Sequence, residues 1–271
     1  MPRASRYLQA GYTFHVTHRC HDRRFLLKFA RDRDAYRQWL RVAVQRYDVP
    51  LYAFCITSNH VHLVLHVDDT ERVGLMMHLV AGAFAQQLNR RKGHEGSVWE
   101  HPYHCTIVQD GQHLLNCLRY VALNMVRAGV VEHPREWRWS GHDELTGKRI
   151  RYRVLALERL IESLALARLE DFRSVYEEGI EELLRRRSLH REPEWTEALA
   201  VGNRVFVERV ARGYERRSEF RYAEATGTGG KEAWSVREQG TPYTAVSPPE
   251  SASKASQEPR KHRNKFPLNK L

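Results

Sequence analysis

Short apolar runs of period two alternate with longer runs of period three to four, and this rhythm predicts the first elements of the chain. Residues 12–19, YTFHVTHR, are rich in β-branched and aromatic side chains and predict a strand. Over 31–47, Ala35, Trp39, Val42, Ala43 and Tyr47 fall at helical spacing, and Pro50 stops that helix. Residues 51–56, LYAFCI, and 60–67, HVHLVLHV, predict two strands joined by the turn Thr57-Ser58-Asn59, so they pair antiparallel. Asp68-Asp69-Thr70 can cap a helix over 71–91, which ends in Asn89-Arg90-Arg91-Lys92 before Gly93. Residues 103–108, YHCTIV, predict a further hairpin arm or edge strand. Asp110 is placed to cap a helix over 111–127 that closes near Gly129.

That order suits an α+β domain with a ferredoxin-like, split βαβ antiparallel sheet, better than a doubly wound parallel one. Beyond Gly141 the pattern turns helical, with predicted helices over 152–170, 171–187 and 194–214. From 225 the composition shifts to Gly, Ser, Thr, Pro and Lys. The expected organisation is a sheet domain over 1–145, a helical extension over 146–220 and a disordered basic tail over 221–271.

Composition narrows the function. In 271 residues, 44 Lys and Arg outweigh 33 Asp and Glu, a net charge of +11, which favours a polyanionic partner such as nucleic acid. The RKHRNK run near the end is expected to touch phosphates. No apolar run is long enough for a membrane helix, and MPRASRYLQAG has no signal-peptide core. Cys20, Cys55, Cys105 and Cys117 are scattered, which argues against a disulfide scaffold or a four-cysteine zinc site and for a reducing, cytoplasmic location. Nucleotide-loop, zincin and nucleophile-elbow motifs are absent.

Three constellations carry candidate chemistry. In His60-Val61-His62, strand alternation points both imidazoles to one face, where they can reach one metal ion. One such pair is about what chance gives in a chain this rich in His, so paired structural histidines stand beside the metal reading. On the helix over 111–127, Asn116, Tyr120, Asn124 and Arg127 form one polar stripe opposite Leu114, Leu118, Val121 and Met125. Tyr120 is either a nucleophile toward a phosphodiester or a half-buried phenol with its hydroxyl satisfied locally. Basic groups interleaved with aromatics, at Arg19, Arg23, Arg24, Arg90, Arg91 and Lys92 and near Trp99 and Tyr103, suit a nucleic-acid backbone or form a solvated surface.

Taken in order, Phe14-His15-Val16-Thr17-His18-Arg19, Ile56-Thr57-Ser58-Asn59-His60-Val61-His62-Leu63 and Arg119-Tyr120-Val121-Ala122-Leu123-Asn124-Met125-Val126-Arg127-Ala128-Gly129 resemble the IS200-type single-tyrosine transposases, more closely the REP-associated tyrosine transposases of bacteria. The resemblance covers residues 5–145, and residues 192–207 look like a C-terminal extension common in that group. Thr57-Ser58 stands where the family usually has Met-Pro, and Met125 where it often has Pro; neither change removes a reacting group.

The resemblance implies a ferredoxin-like HUH nuclease domain that cleaves and rejoins single-stranded DNA at palindromic hairpins through a 5′-phosphotyrosine. Tyr120 matches the nucleophile. His60, His62 and Asn124 match the ligands of a divalent metal, Mg²⁺ or Mn²⁺. Arg119 and Arg127 join the other basic positions as expected DNA contacts. The expected setting is the nucleoid, and a homodimer stays open. The alternatives are a domesticated DNA-binding regulator without nuclease activity, a ferredoxin-like RNA-binding module, and a relaxase.

Overall fold

The structure is a computed structural model that describes residues 8–93, 95–100, 103–214, 219–225 and 233–239. Four strands form the first sheet: Tyr12–Arg19 (β1), Leu51–Ile56 (β2), His60–Val67 (β3) and His104–Val108 (β4). Two helices, Ala30–Tyr47 (α1) and Thr70–Lys92 (α2), connect β1 to β2 and β3 to β4. The strands lie in the order β2-β3-β1-β4, each antiparallel to its neighbour. A βαββαβ chain with that order is the split βαβ, ferredoxin-like arrangement expected from the hydrophobic pattern.

Period-two patterning divides the central strands between two environments. From β1, His18 stacks on Trp99 at 4.0 Å, and Trp99 meets Tyr36 of α1 and Phe84 of α2 at 5.7 Å. The odd positions of β1 point the other way, and His15 meets Tyr120 there. Tyr120 lies on Gln112–Ala122 (α3), which covers that opposite face.

The local signals at helix ends held in part. The Asp69 carboxylate accepts the Glu71 N–H at 2.8 Å, and Gly93 closes α2 in the left-handed region. Asp110 does not cap α3; Gly111 stands at that position and Asp110 accepts the Thr13 hydroxyl at 2.7 Å. The predicted helix over 111–127 is divided at Leu123 (ψ 2°) into α3 and Asn124–Arg127 (α4).

The larger corrections concern the extension and tail. Its helices are His142–Leu145 (α5), Leu157–Ser163 (α6), Leu169–Arg185 (α7), Glu194–Glu197 (α8) and Arg204–Arg212 (α9). The helix expected over 152–170 shrinks to α6 because the chain reverses at Tyr152 and Ala165, both at positive φ. The helix expected over 194–214 is interrupted by a strand, Ala200–Gly202 (β5), which pairs parallel to β4. Two further strands, Glu219–Glu224 (β6) and Trp234–Gln239 (β7), extend the sheet to the order β2-β3-β1-β4-β5-β7-β6.

So β4 is not an edge strand, and residues 221–225 and 233–239 are not a disordered tail. The physical reason is the open side of β4: its outward backbone groups are met by β5 and the residue before it, as in Ile107 N–H to the Leu199 carbonyl at 2.8 Å, and Val236 of β7 is fully buried. Residues 240–271, with the basic run RKHRNK, lie outside the described residues.

Behind β2, Glu144 is fully buried. Its Oε2 accepts the backbone N–H groups of Val154 (2.7 Å) and Leu155 (3.1 Å), while Arg37 and Arg149 approach Oε1 at 3.5 and 3.7 Å. Removing the carboxylate leaves two amides unsatisfied, takes the Glu144 charge from Arg37 and leaves Arg149 only Asp143 at 3.6 Å. Glu144→Ala is expected to lower unfolding stability by about 3–5 kcal/mol. Urea denaturation checks this, and a loss below about 1 kcal/mol would contradict the buried ion-pair account.

Candidate functional site

The site starts at the turn between β2 and β3. The Thr57 hydroxyl accepts the N–H groups of Asn59 (3.3 Å) and His60 (3.1 Å) and donates to the His60 carbonyl (2.8 Å), which locks the entry into β3. Asn59 Oδ1 lies 2.7 Å from His60 Nδ1. An amide oxygen only accepts, so Nδ1 carries the proton and the lone pair of His60 sits on Nε2.

Register brings the next groups together. Arg19 is opposite His60 and Thr17 opposite His62 across the β1–β3 ladder, all on the face covered by α3. The His60 and His62 rings are edge to face with centroids 4.7 Å apart. His62 Nε2 is 2.9 Å from the Asn124 amide nitrogen, and His62 Nδ1 is 2.9 Å from His15 Nε2. The Tyr120 ring stands 6.2 Å from His62, 6.0 Å from His15 and 6.0 Å from Trp195. Arg127 folds back over the phenol at 4.2 Å and donates to the Tyr120 carbonyl at 3.1 Å.

Burial sets the protonation of this cluster. It pushes His15 and His60 down to about 4, the Trp195 carbonyl opposing the fall at His15 and the Arg19 charge adding to it at His60, and drives His62 down as well. All three imidazoles are therefore neutral near pH 7. Burial raises Tyr120, and the Arg127 charge opposes that rise.

A cleft of about 420 Å³ collects these groups. His60, His62, Tyr120 and Asn124 line it together with Arg19, Arg23, Arg127 and Arg191. Of the basic positions singled out in the sequence, Arg19, Arg23 and Arg127 thus reach the cleft. Arg24, Arg90, Arg91 and Lys92 are exposed and do not line it. Arg91 pairs with the buried Asp32. Arg119 turns away from the cleft: its guanidinium bonds the Val175 carbonyl and fills the space left by the missing side chain of Gly179.

Sequence reasoning gave no role to His15, Thr17, Arg191, Trp195 or Thr196. For His15 and Thr17 a signal existed, because strand alternation puts them on the same face as Arg19. For Arg191, Trp195 and Thr196 no local spacing points to the cleft.

Among the described residues no three His, Cys, Asp or Glu side chains converge as a metal site. The available donor set is two neutral imidazoles and one amide. Neutral nitrogen lone pairs and an amide oxygen fit a divalent cation once the Asn124 amide, whose nitrogen here faces His62 Nε2, turns its oxygen to the ion, and so few protein donors would leave positions open for a phosphate.

Comparison with known proteins agrees with the motifs. Residues 9–124 match the model of the IS200-like transposase family. A protein of Haemophilus influenzae named as a REP-associated tyrosine transposase is 26% identical over 118 residues, 40% of this chain and 65% of that relative's length. A solved REP-associated tyrosine transposase bound to a REP hairpin superimposes with a TM-score of 0.44 at 16% identity, covering 55% of this chain and 87% of that one.

The buried imidazoles have a measurable consequence for stability. His15 and His60 titrate near 4 in the folded chain, against about 6.5 for an unfolded His. Between those values the unfolded state binds more protons, so stability is complete above about pH 6.5 and is lost as pH falls toward 4. In chelator, each such group is expected to remove about 2 kcal/mol between pH 7 and 5. Urea denaturation at both pH values checks this, and a midpoint unchanged by pH would contradict neutral, buried rings.

Proposed function

We propose that the protein is a metal-dependent single-stranded DNA endonuclease and transposase that cleaves and rejoins strands beside palindromic hairpins through Tyr120. The observation that carries this reading is the cleft itself. A phenol on a helix stands beside two neutral imidazoles in a pocket lined by four arginines. Binding nucleic acid requires the arginines but none of the other groups.

His60, His62 and Asn124 would hold the cation. When bound, a divalent ion there supplies Lewis-acid polarisation of a phosphoryl oxygen and offsets charge in the transition state. The remaining work belongs to the chain. Arg19, Arg23 and Arg127 attract and orient the phosphodiester. Arg127 over the Tyr120 ring favours the phenolate that burial disfavours. Tyr120 Oη forms a bond to phosphorus, the P–O3′ bond breaks, and the phenolic proton is accounted for on the released 3′-hydroxyl. The products are a 5′-phosphotyrosine and a free 3′ end. Attack by another 3′-hydroxyl reverses the step and joins strands with no nucleotide triphosphate. The ferredoxin-like sheet, the family model matched by residues 9–124 and the name of the H. influenzae relative support this reading and the choice of hairpin repeats as substrate.

Tyr120→Phe is expected to abolish the covalent adduct and lower cleavage by at least about 10³-fold while the fold is retained, because one hydroxyl is deleted. Denaturing gels of protein incubated with labelled hairpin DNA and Mn²⁺ read both effects. An adduct formed by the Tyr120→Phe protein would move the nucleophile elsewhere. A wild-type protein that binds hairpins yet never cleaves them with Mg²⁺ or Mn²⁺ would instead be a DNA-binding regulator.

His62→Ala is expected to remove cleavage and leave hairpin affinity within about threefold, since affinity comes mainly from phosphate contacts. Mixing Tyr120→Phe with His60→Ala chains tests for a homodimer that shares its sites. Activity regained in the mixture means the tyrosine of one chain serves the histidines of another, and no recovery means each site is built from one chain.

A further inference from the structure

The carbonyl of Trp195, on α8 and outside the matched segment 9–124, ends a hydrogen-bonded chain that runs into the cleft. Trp195 O is 2.7 Å from His15 Nδ1, His15 Nε2 is 2.9 Å from His62 Nδ1, and His62 Nε2 is 2.9 Å from the Asn124 amide nitrogen. Each link has one allowed direction. A backbone carbonyl only accepts, so His15 Nδ1 must donate. A neutral imidazole carries one N–H, so His15 Nε2 is left with its lone pair and must accept from His62 Nδ1. The proton of His62 is thereby placed on Nδ1 and its lone pair on Nε2, facing the cleft. The Asn124 amide N–H donating to that lone pair agrees with this direction.

We propose that His15 is a positioning residue that, anchored by the Trp195 carbonyl, fixes the tautomer and orientation of His62 required to bind the cation. The proposal rests on the metal site described above. It makes residues 192–198 of the C-terminal extension part of the site. The anchor is itself held: Trp195 is almost fully buried against Tyr120, and its indole N–H donates to Glu192 at 2.8 Å. A partner that orients a ligating histidine typically contributes 10–100-fold to metal affinity.

Histidine-ring ¹H–¹⁵N NMR on the metal-free, full-length wild type reads the tautomer directly. His62 is expected with Nδ1 protonated and Nε2 unprotonated; the reverse tautomer would overturn the proposal. Mn²⁺ titration then compares the wild type with His62→Ala, His15→Leu and His15→Gln. His15→Leu keeps volume but neither accepts nor donates, and is expected to weaken Mn²⁺ binding by about 10–100-fold. His15→Gln can donate to Trp195 O and accept from His62 Nδ1, and is expected to restore binding to within about threefold of wild type. Wild-type affinity and an unchanged His62 tautomer in His15→Leu would overturn the positioning role. If His15→Leu does not fold, loss of the His62 tautomer in a folded His15→Gln overturns it. A wild type that binds Mn²⁺ no better than His62→Ala would overturn the metal site, and this proposal with it.

Discussion

Everything at the cleft depends on the register between β1 and β3. The pairing of Arg19 with His60 and Thr17 with His62 puts a cation, a hydroxyl and two imidazoles on one face of the sheet. A slip of one residue would turn all four into the layer occupied by Tyr36, Phe84 and Trp99. That register is held by the other half of each strand. Phe14, Val16, Val61, Leu63 and Leu65 are all essentially fully buried, and exposing any one of them costs about 1.5–3 kcal/mol. The apolar face therefore sets the position of the polar one.

The polar face is expensive to bury, and its hydrogen bonds decide whether it can be. His15 and His62 are almost wholly inaccessible. Left unpaired, such groups would each cost several kcal/mol. Here both nitrogens of each ring have partners, in a sequence of bonds that puts the His62 Nε2 lone pair on the cleft side, where the Asn124 amide N–H meets it. The same burial holds the rings neutral, which is the state a metal ligand requires. Desolvation thus weakens the fold at low pH and keeps these rings unprotonated at neutral pH. For Tyr120 it acts the other way, since burial disfavours the phenolate, and Arg127 across the ring supplies the opposing charge.

Local patterns made β1 to β4, α1 and α2 legible, because each is either a period-two run next to a turn residue or an amphipathic stretch with a cap. Tyr120 and Asn124 were legible as one polar stripe four residues apart, and the break at Leu123 does not separate them in space. Arg119, in the same motif as Tyr120, was not legible: whether it faces DNA or α7 depends on Gly179, sixty residues further on. The strands β5 to β7 escaped for a related reason. Ala200–Gly202 is only three residues long, and β6 and β7 flank a Gly- and Thr-rich stretch whose composition masks them. What makes them strands is the open side of β4, which no window of their own sequence contains.

Those same late strands explain how the extension reaches the site. β5 pairs with β4 through Ile107 and Ala200, and this places the preceding turn, α8, over the α3 face of the sheet. The bond from His15 to Trp195 then closes a separation of 180 residues. A contact that long is entropically costly on its own, but it is cheap once the β4–β5 ladder has already brought the segments together. The ferredoxin-like sheet draws its hydrophobic layers from local connections, while the innermost imidazole, His15, has one of its two partners on the extension. In this arrangement, sheet and cleft separate along the chain: the first 145 residues hold Tyr120, Asn124 and the three imidazoles, and the extension supplies the Trp195 carbonyl that accepts from His15.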